Sequence, residues 1–235
     1  MSCPLLLGHR GARGCKAIPE NTLASFDRAL ADGCDGFEFD LRLTADGRAV
    51  AHHDPKVGGL EIANAIATQL PSLPRLQDIL VRYQEAFLDI ELKVAGMEKI
   101  VIGVLTEYRP RGFVVSSFLP EVLRTVHAVD ATITLGLICE SKAQLHRWTQ
   151  LPVEYVIVHR ILTEQDLIGE VHAAGKKVLV WTVNTAAEMK RFASWGVDGI
   201  ISDHTKKLNA TLRNESLTAL QTRPHWRRKS PPSLP

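Results

Sequence analysis

The stretch LLLGHRGARGCKAIPENTLASF, residues 5–26, contains one complete strand–loop–helix unit. Its first three residues form a short apolar run that predicts a buried strand, and this run leads directly into Gly8-His9-Arg10-Gly11. The following helix places Leu23, Phe26 and Leu30 at i, i+3 and i+7, so one helix face is apolar. The unit therefore predicts a titratable side chain and a guanidinium at the end of a buried strand, where α/β proteins often place their functional groups.

Similar units repeat along the chain. Apolar or β-branched runs alternate with amphipathic segments, and the eight predicted strands are Leu5–Leu7, Gly36–Leu41, Phe87–Glu91, Phe113–Ser116, Thr134–Ile138, Tyr155–His159, Lys177–Trp181 and Gly199–Ser202. Eight near-continuously apolar strands that alternate with helices predict an α/β fold, a single (β/α)8 TIM barrel. A doubly wound open sheet is the alternative, but the chain has no GxGxxG turn to support it.

Polar residues and glycines mark the ends of several predicted helices. Asn21 or Thr22 can cap the first helix, and Gly33 suits the position just after its end. Thr163 and Asp166 have the spacing of a capping box and predict the start of a later helix. These signals support the alternation of strands and helices.

Composition restricts the classes of function. The chain has 235 residues, 45% of them hydrophobic, which is enough for a large core in one domain. A net charge of +2 supplies no strong field for binding nucleic acid. The four cysteines show no CxxC spacing and no signal peptide is recognisable, so a reduced, cytoplasmic protein is expected. No apolar run reaches the roughly 20 residues of a transmembrane segment.

The two ends of the chain differ in character. Residues 1–222 are predicted to form the barrel domain, and residues 223–235 a basic, proline-rich tail. Trp226 and the basic run Arg227–Lys229 could make weak contact with an anionic membrane surface. A solvated tail is the favoured interpretation, because the segment has no amphipathic helix. No pattern in the chain predicts an oligomeric state.

Acidic residues cluster at the predicted strand ends. Glu38 and Asp40 are two residues apart on a strand, so their side chains point to the same face. Glu91 ends the next barrel strand, and Lys93 follows two residues later. Carboxylates that share a buried face require a cation, and oxygen ligands suit Mg²⁺ or Ca²⁺. The sequence therefore predicts a divalent-cation site formed by Glu38, Asp40 and Glu91.

Histidines follow two of the extended segments. His9 comes directly after the first strand, and His52 and His53 end a short extended segment after the second. Adjacent residues of an extended chain face opposite ways, so we expect only one of this pair, His53, to reach the site. Two histidines beside a bound cation can act as general acid and general base, while Arg10 and Lys93 offset phosphate charge. This combination indicates phosphoryl transfer.

Nine short motifs together resemble the glycerophosphodiester phosphodiesterase family. They occur in order from about Leu6 to Asp203: HRG at 9–11, PENT at 19–22, EFD at 38–40, TADG at 44–47, HHDP at 52–55, ELK at 91–93, SSF at 116–118, WTVN at 181–184 and GVDGIISD at 196–203. The resemblance implies a (β/α)8 barrel and hydrolysis of glycerophosphodiesters. It also implies that the counterparts of Glu38, Asp40 and Glu91 hold the metal, with His9 and His53 as the acid–base pair.

The resemblance implies further residues around the substrate. Glu20 would lie beside the metal, and Arg10 and Lys93 would contact the phosphate. Phe118 and Trp181 would form the pocket wall around the organic part of the substrate, although core packing is an equally ordinary role for an aromatic residue at a strand end.

Two departures from the family pattern affect substrate size. The loop between HRG and PENT carries extra residues around Cys15 and Lys16, and the stretch from His53 to Glu91 is shorter than the family's usual insertion. The expected reaction converts a small-molecule glycerophosphodiester to an alcohol and sn-glycerol 3-phosphate. The alternatives are a lysophospholipase D acting on lipid-bearing diesters, favoured by the reduced insertion, and a catalytically inactive binding barrel.

Overall fold

The structure is a computed structural model that describes residues 3–213. These residues form eleven strands: β1 Leu5–Gly8, β2 Gly36–Leu43, β3 Ala49–Ala51, β4 Lys56–Val57, β5 Leu60–Glu61, β6 Phe87–Leu92, β7 Gly112–Ser117, β8 Leu135–Cys139, β9 Tyr155–His159, β10 Lys177–Trp181 and β11 Gly199–Ser202. They also form eight α-helices: α1 Leu23–Ala31, α2 Leu76–Arg82, α3 Glu98–Glu107, α4 Pro120–Val129, α5 Lys142–Leu145, α6 Gln165–Ala173, α7 Ala186–Ser194 and α8 Thr205–Leu212. Short 3₁₀ helices occupy Ile62–Asn64, Ala67–Gln69 and Trp148–Gln150.

Eight of the strands close into a parallel barrel. The strand order is β1-β11-β10-β9-β8-β7-β6-β2, and β1 also pairs with β2, which completes the ring. The closing register places Leu5 opposite Gly199 and Leu7 opposite Gly36. The predicted (β/α)8 barrel is confirmed, and each predicted strand agrees with its barrel strand to within two residues at either end. The alternative of an open doubly wound sheet is wrong.

Helices cover the outside of the barrel by burying their apolar faces. In α1, Thr22 is the N-cap, and its side chain accepts a hydrogen bond from the backbone N–H of Ser25 at 3.2 Å. Phe26 is fully buried and stacks on Phe37 with ring centroids 4.2 Å apart. Gly33 follows the helix end with a φ of +91°, a conformation that glycine adopts without strain. Both predicted ends of this helix are therefore confirmed.

The start of α6 differs from the prediction. The helix begins at Gln165 with Glu164 as its N-cap, and no side chain caps it. The Thr163 hydroxyl instead donates a hydrogen bond to the backbone carbonyl of His159. The capping box of Thr163 and Asp166 is therefore wrong, because the helix begins one residue later than the box requires and Glu164 occupies the N-cap position.

The segment between β2 and β6 packs onto the barrel as a small unit. β3 pairs antiparallel with the end of β2, and the β4–β5 hairpin follows. Val50, Ile62 and Leu70 are buried together in a separate apolar cluster beneath this segment. The segment places His53 at the carboxyl-end face of the barrel. It also corresponds to the reduced insertion that the sequence predicts.

Two apolar layers stabilise the barrel and support the site. One lies between the strands and the surrounding helices. The other fills the barrel interior with buried Leu7, Val114, Ile138, Tyr155, Ile157, Leu179 and Ile201. Within residues 3–213, every helix is too short or too polar to cross a membrane. The predicted tail at 223–235 and its membrane contact lie outside the described residues.

Candidate active site

A cavity of about 380 Å³ opens at the carboxyl ends of the barrel strands. It is lined by both candidate catalytic histidines, by both candidate phosphate-binding cations, and by Glu38 and Glu91 of the predicted metal site. Its lining residues are His9, Arg10, Glu38, His53, Glu91, Lys93, Phe118, Ile138, Glu140, Trp181 and Ile201. Functional groups from strands and loops that are distant in sequence meet here because the barrel closes.

Three buried carboxylates form one cluster at the cavity floor. Glu38 and Asp40 lie on the same face of β2, and Asp40 is in register with Glu91 of β6. Carboxylate oxygens from the three residues lie within 4.8 Å of one another. Oε1 of Glu38 is buried and accepts no hydrogen bond within the described residues. The cluster thus has the donor type, the spacing and a spare ligand atom that suit a divalent cation.

Two basic side chains contact the cluster. The Lys93 ammonium lies 2.7 Å from a carboxylate oxygen of Glu91 and 3.3 Å from one of Asp40. Nε of Arg10 lies 3.2 Å from Asp40, and the backbone N–H of Arg10 donates to Glu38 at 2.9 Å. These contacts offset part of the negative charge of the cluster.

The charge that remains shifts the pKa values of the carboxyls. Burial, together with the charge of Asp40, raises the pKa of Glu38 well above its usual range and that of Glu91 to about 8. Burial acts on Asp40 in the same direction, but Arg10 and Lys93 outweigh it and lower the pKa of that carboxyl. Arg10 and Lys93 are therefore not enough to favour full ionisation of all three carboxyls, and a bound cation would favour it, which supports the assignment of the cluster as a cation site.

A fourth carboxylate lies one layer deeper in the barrel. Asp89 is fully buried on β6, in register with Glu38, and accepts a hydrogen bond of 2.5 Å from the Ser116 hydroxyl. Burial raises the pKa of Asp89 to about 7. The sequence shows Asp89 in LDIELK, but its position on the inner face becomes evident only with the barrel.

The loop after β1 has an unusual backbone conformation that positions Arg10. A Cβ atom at Gly8 would clash with Ala29 of α1, so the close approach of strand and helix requires glycine. Arg10 itself has a φ of +49°, in the left-handed region that side-chain-bearing residues rarely adopt. The Ser25 hydroxyl donates to the carbonyl of Arg10 at 2.9 Å and helps to hold that conformation.

Glu20 pairs with arginines instead of joining the carboxylate cluster. It accepts hydrogen bonds from Nη1 of Arg10 at 2.6 Å and from Nε of Arg13 at 2.7 Å. These bonds and charges outweigh burial, so the pKa of Glu20 is lowered. Glu20 is therefore linked to the carboxylate cluster through Arg10 and is not part of it. A position directly beside a metal stays a prediction.

His9 is held by a carboxylate that the sequence analysis did not assign. Nδ1 of His9 lies 2.7 Å from Oδ1 of Asp203, and the other oxygen of Asp203 accepts a hydrogen bond from the Asn184 side chain at 2.7 Å. Nε2 of His9 lies 3.8 Å from Glu38. Burial lowers the pKa of His9, and the hydrogen bond with Asp203 offsets only part of that effect. In the sequence, Asp203 is the final residue of the GVDGIISD motif, and this position was the available signal for a functional role.

His53 reaches the cavity and its neighbour does not. His53 lines the cavity, and its Nδ1 lies 2.7 Å from the exposed Asp54 carboxylate. The backbone carbonyl of His53 accepts a hydrogen bond of 2.7 Å from Nε of Arg42, which ties this loop to β2. The ring of His52 lies 3.2 Å from the carbonyl of Lys56 instead. The structure thus places His53, as expected, on the same cavity as His9.

Asn21 holds Asp40 of the carboxylate cluster by two hydrogen bonds. Its side-chain amide donates to Asp40 at 2.8 Å, and its side-chain oxygen accepts from the backbone N–H of Asp40 at 3.2 Å. The sequence analysis considered Asn21 only as a helix cap. The PENT motif therefore contributes a residue that orients a candidate metal ligand.

Aromatic side chains form the wall away from the carboxylates. Phe118 and Trp181 line the cavity, with their rings edge to face and the centroids 5.7 Å apart. The Lys93 ammonium lies 5.6 Å from the centroid of the Phe118 ring. His159 also packs edge to face with Trp181, with centroids 5.1 Å apart. Both predicted aromatic residues are therefore on the cavity surface.

The fold and this cavity are those of a (β/α)8 barrel enzyme with an acidic, oxygen-rich centre. The family model for glycerophosphoryl diester phosphodiesterases matches residues 9–74 and 84–207. The chain belongs to this family of phosphoric diester hydrolases, which confirms the resemblance stated above.

Relatives support the assignment along most of the chain. A glycerophosphodiester phosphodiesterase from Caldanaerobacter subterraneus is 28% identical over an alignment of 236 positions that covers 87% of this chain and 96% of that protein. A phosphodiesterase from Oleispira antarctica, solved in complex with the product sn-glycerol-3-phosphate, has a TM-score of 0.79 and 25% identity, covering 89% of this chain and 96% of that chain. A glycerophosphodiester phosphodiesterase from Parabacteroides distasonis shares the fold, with a TM-score of 0.79, 20% identity and coverage of 92% and 100%.

Proposed function

We propose that this protein hydrolyses glycerophosphodiesters to an alcohol and sn-glycerol 3-phosphate, with a divalent cation and two catalytic histidines. The observation that carries the proposal is the convergence of His9, His53, Arg10, Lys93 and the carboxylate cluster on one cavity. The name of the Caldanaerobacter relative and the product bound to the Oleispira phosphodiesterase support the same reaction.

The carboxylates of Glu38, Asp40 and Glu91 would hold the cation. Their shared spacing of 4.8 Å or less and the spare oxygen of Glu38 fit oxygen-preferring Mg²⁺ or Ca²⁺. Such an ion supplies Lewis-acid chemistry, which polarises a phosphoryl oxygen and stabilises negative charge. Asn21 keeps Asp40 oriented by two hydrogen bonds.

Arg10 and Lys93 would bind the phosphate. Both line the cavity, both carry positive charge, and both are already positioned by contacts to Asp40. Because these cations are held in place before substrate arrives, little reorganisation is needed when charge develops on the phosphate oxygens. The salt bridge between Arg10 and Glu20 further restricts the guanidinium.

The different surroundings of the two histidines support different roles, because burial lowers the pKa of His9, whereas His53 is partly exposed. When Nδ1–H of His9 donates to Asp203, Nε2 carries the lone pair and can take a proton from the attacking water. His53 then acts as the acid and gives a proton to the departing alkoxide of the alcohol. Its position near Asp54 at the rim suits exchange of that proton with solvent.

A change of leaving group tests these two roles. His9→Ala and His53→Ala should each reduce kcat on glycerophosphocholine by about 10² to 10⁴, as expected for loss of a general acid or base. A diester that releases p-nitrophenolate requires no protonation of the leaving group, so His53→Ala should recover most activity on it. His9→Ala should remain impaired on both substrates.

His172→Ala is the matched control for that experiment. This histidine also pairs with an aspartate, Asp198, at 2.8 Å, but it lies on α6 outside the cavity. Its removal should leave both activities unchanged. Equal losses for His53→Ala on the two substrates would contradict the assignment of His53 as the acid.

A further inference from the structure

The cavity wall opposite His9 carries a carboxylate outside the metal cluster. Glu140 directly follows β8, and His9 directly follows β1. Four strand steps separate β1 from β8 in either direction around the barrel, so the two residues face each other across its mouth. Glu140 lines the same cavity as the catalytic groups. The cavity is thus acidic on two separate sides.

The Glu140 carboxylate has no counterion in the described part of the chain. Within residues 3–213, neither a hydrogen bond nor an ion pair engages its side chain. Two cations at this end of the barrel have carboxylate partners of their own: Lys93 contacts Glu91 and Asp40, and Arg160 contacts Glu188. Burial and Arg160 lower the pKa of the His159 imidazole, and the charge of Glu140 offsets only part of that effect, so His159 supplies little positive charge at neutral pH. A bound molecule with a positive charge would therefore find an available carboxylate at this wall.

The backbone at Glu140 is held in place. The side-chain oxygen of Gln144 accepts hydrogen bonds from the N–H groups of Glu140 at 3.0 Å and Ser141 at 3.1 Å. Ser141 in turn caps α5 by accepting from the N–H of Gln144. A carboxylate on a fixed backbone loses less conformational freedom when it pairs with a ligand.

Two aromatic side chains line the same cavity as Glu140. Phe118 extends from the end of β7, the strand next to β8, and Trp181 from the end of β10, two strands away on the other side. Both rings line the cavity. Alkylammonium groups bind well to surfaces that combine aromatic faces with a carboxylate, because both attract positive charge without requiring hydrogen bonds from the ligand.

We infer that Glu140, Phe118 and Trp181 form a subsite for a positively charged alcohol head group, so that the preferred diesters carry a quaternary ammonium or primary amine. This inference rests on the proposed function, because it deepens the substrate class of the same cavity. The phosphate would bind on the side of Arg10 and Lys93, and the ammonium group would extend toward Glu140. Neutral head groups such as glycerol would leave this carboxylate unpaired.

The test compares diesters that differ in head-group charge. Wild-type protein should show a higher kcat/KM for glycerophosphocholine and glycerophosphoethanolamine than for glycerophosphoglycerol. Because Glu140 is exposed at the cavity rim, the expected preference is about three- to tenfold. The difference should appear mainly in KM, since the contact is remote from the reacting phosphorus. Added salt should weaken it.

Glu140→Gln removes the charge and keeps the shape. In this variant KM should rise for the two cationic diesters and stay constant for glycerophosphoglycerol. Glu170→Gln is the matched control: this exposed glutamate lies near the end of α6, which runs away from the cavity, and its loss should change no constant. Equal effects of Glu140→Gln on all three diesters, or no effect on any of them, would overturn the inference.

A binding measurement separates this inference from the proposed function. If wild-type protein hydrolyses neutral and cationic diesters equally, the proposed function stands and the subsite is refuted. If it hydrolyses none of them with Mg²⁺ or Ca²⁺, the proposed function fails. Calorimetry with glycerophosphocholine and glycerophosphoglycerol then decides the subsite, and equal affinities in wild type and Glu140→Gln would refute it.

Discussion

Asp203 Oδ1 lies 2.7 Å from Nδ1 of His9, although 194 positions separate the two residues in the chain. The contact exists because β1 and β11 are neighbours where the barrel closes, with Gly8 in register with Ser202. His9 and Asp203 each follow one of these paired residues. The closure of the fold therefore determines the tautomer and orientation of the candidate general base.

Asp203→Asn should reduce kcat by about 10- to 100-fold, as loss of an orienting hydrogen bond to a functional histidine usually does. An amide at this position can donate to Nδ1 and so favours the tautomer that places the proton on Nε2. KM and the affinity for Mg²⁺ should change little, because Asp203 contacts neither the carboxylate cluster nor Lys93. Steady-state kinetics and metal titration on the same preparation check both statements.

Asp198→Asn is the control for this substitution. It also removes a carboxylate from a histidine, His172, in a pair of similar length at 2.8 Å, but outside the cavity. This variant should keep wild-type kcat. A similar loss in both variants would show that Asp203 acts through general stability and not through His9.

Glu38→Gln should weaken the binding of Mg²⁺ or Ca²⁺ by at least about tenfold, because it removes one of three carboxylate ligands. His9→Ala should keep wild-type metal affinity, although Nε2 of His9 lies 3.8 Å from Glu38. Isothermal titration of the chelator-treated proteins measures both. Equal affinities in Glu38→Gln and wild type would contradict the metal-ligand assignment.

The metal-free protein should lose stability as the pH rises above neutral. Burial and the charge of Asp40 raise the pKa of Glu91 to about 8, whereas a glutamate in an unfolded chain has a pKa near about 4.3. Between these values the folded state binds more protons than the unfolded state, so the free energy of unfolding falls with increasing pH. Burial lowers the pKa of His9, so its opposite contribution is essentially complete above about pH 7.

Thermal unfolding of chelator-treated protein at about pH 7 and about pH 8.5 tests this expectation, with a lower midpoint predicted at the higher pH. Saturating Mg²⁺ or Ca²⁺ should reduce the difference, because a bound cation favours ionised carboxylates. Glu91→Gln should also reduce it, since the glutamine does not titrate. A midpoint that is unchanged or higher at the higher pH in the chelated wild type would contradict the charge balance described for the cluster.

Local periodicity was sufficient to predict the elements and part of the site. Alternation along β2 places Glu38 and Asp40 on one face, and the same alternation predicts that only one of His52 and His53 reaches the cavity. These features depend on neighbours two residues apart or fewer. The strand bounds were predictable for the same reason, because each buried strand is a short apolar run flanked by turn residues.

The remaining features depend on contacts between distant parts of the chain. The hydrogen bonds from His9 to Asp203 and from Asn184 to Asp203 require barrel closure, and no local sequence pattern predicts them. Glu140 looks like an ordinary loop residue until β8 is placed across the mouth from β1. The start of α6 was mispredicted by one residue, because the N-cap is Glu164, whose side chain caps nothing, and the sequence spacing favours the hydroxyl of Thr163.

Metal-dependent hydrolysis of a glycerophosphodiester is the activity that we propose for this cavity. The most direct measurement is the release of sn-glycerol 3-phosphate from glycerophosphocholine by the purified protein, with Mg²⁺, with Ca²⁺ and with a chelator. We expect release with at least one of the metals, none with the chelator, and loss of release in Glu38→Gln. No release with either metal, or undiminished release with the chelator, would contradict it.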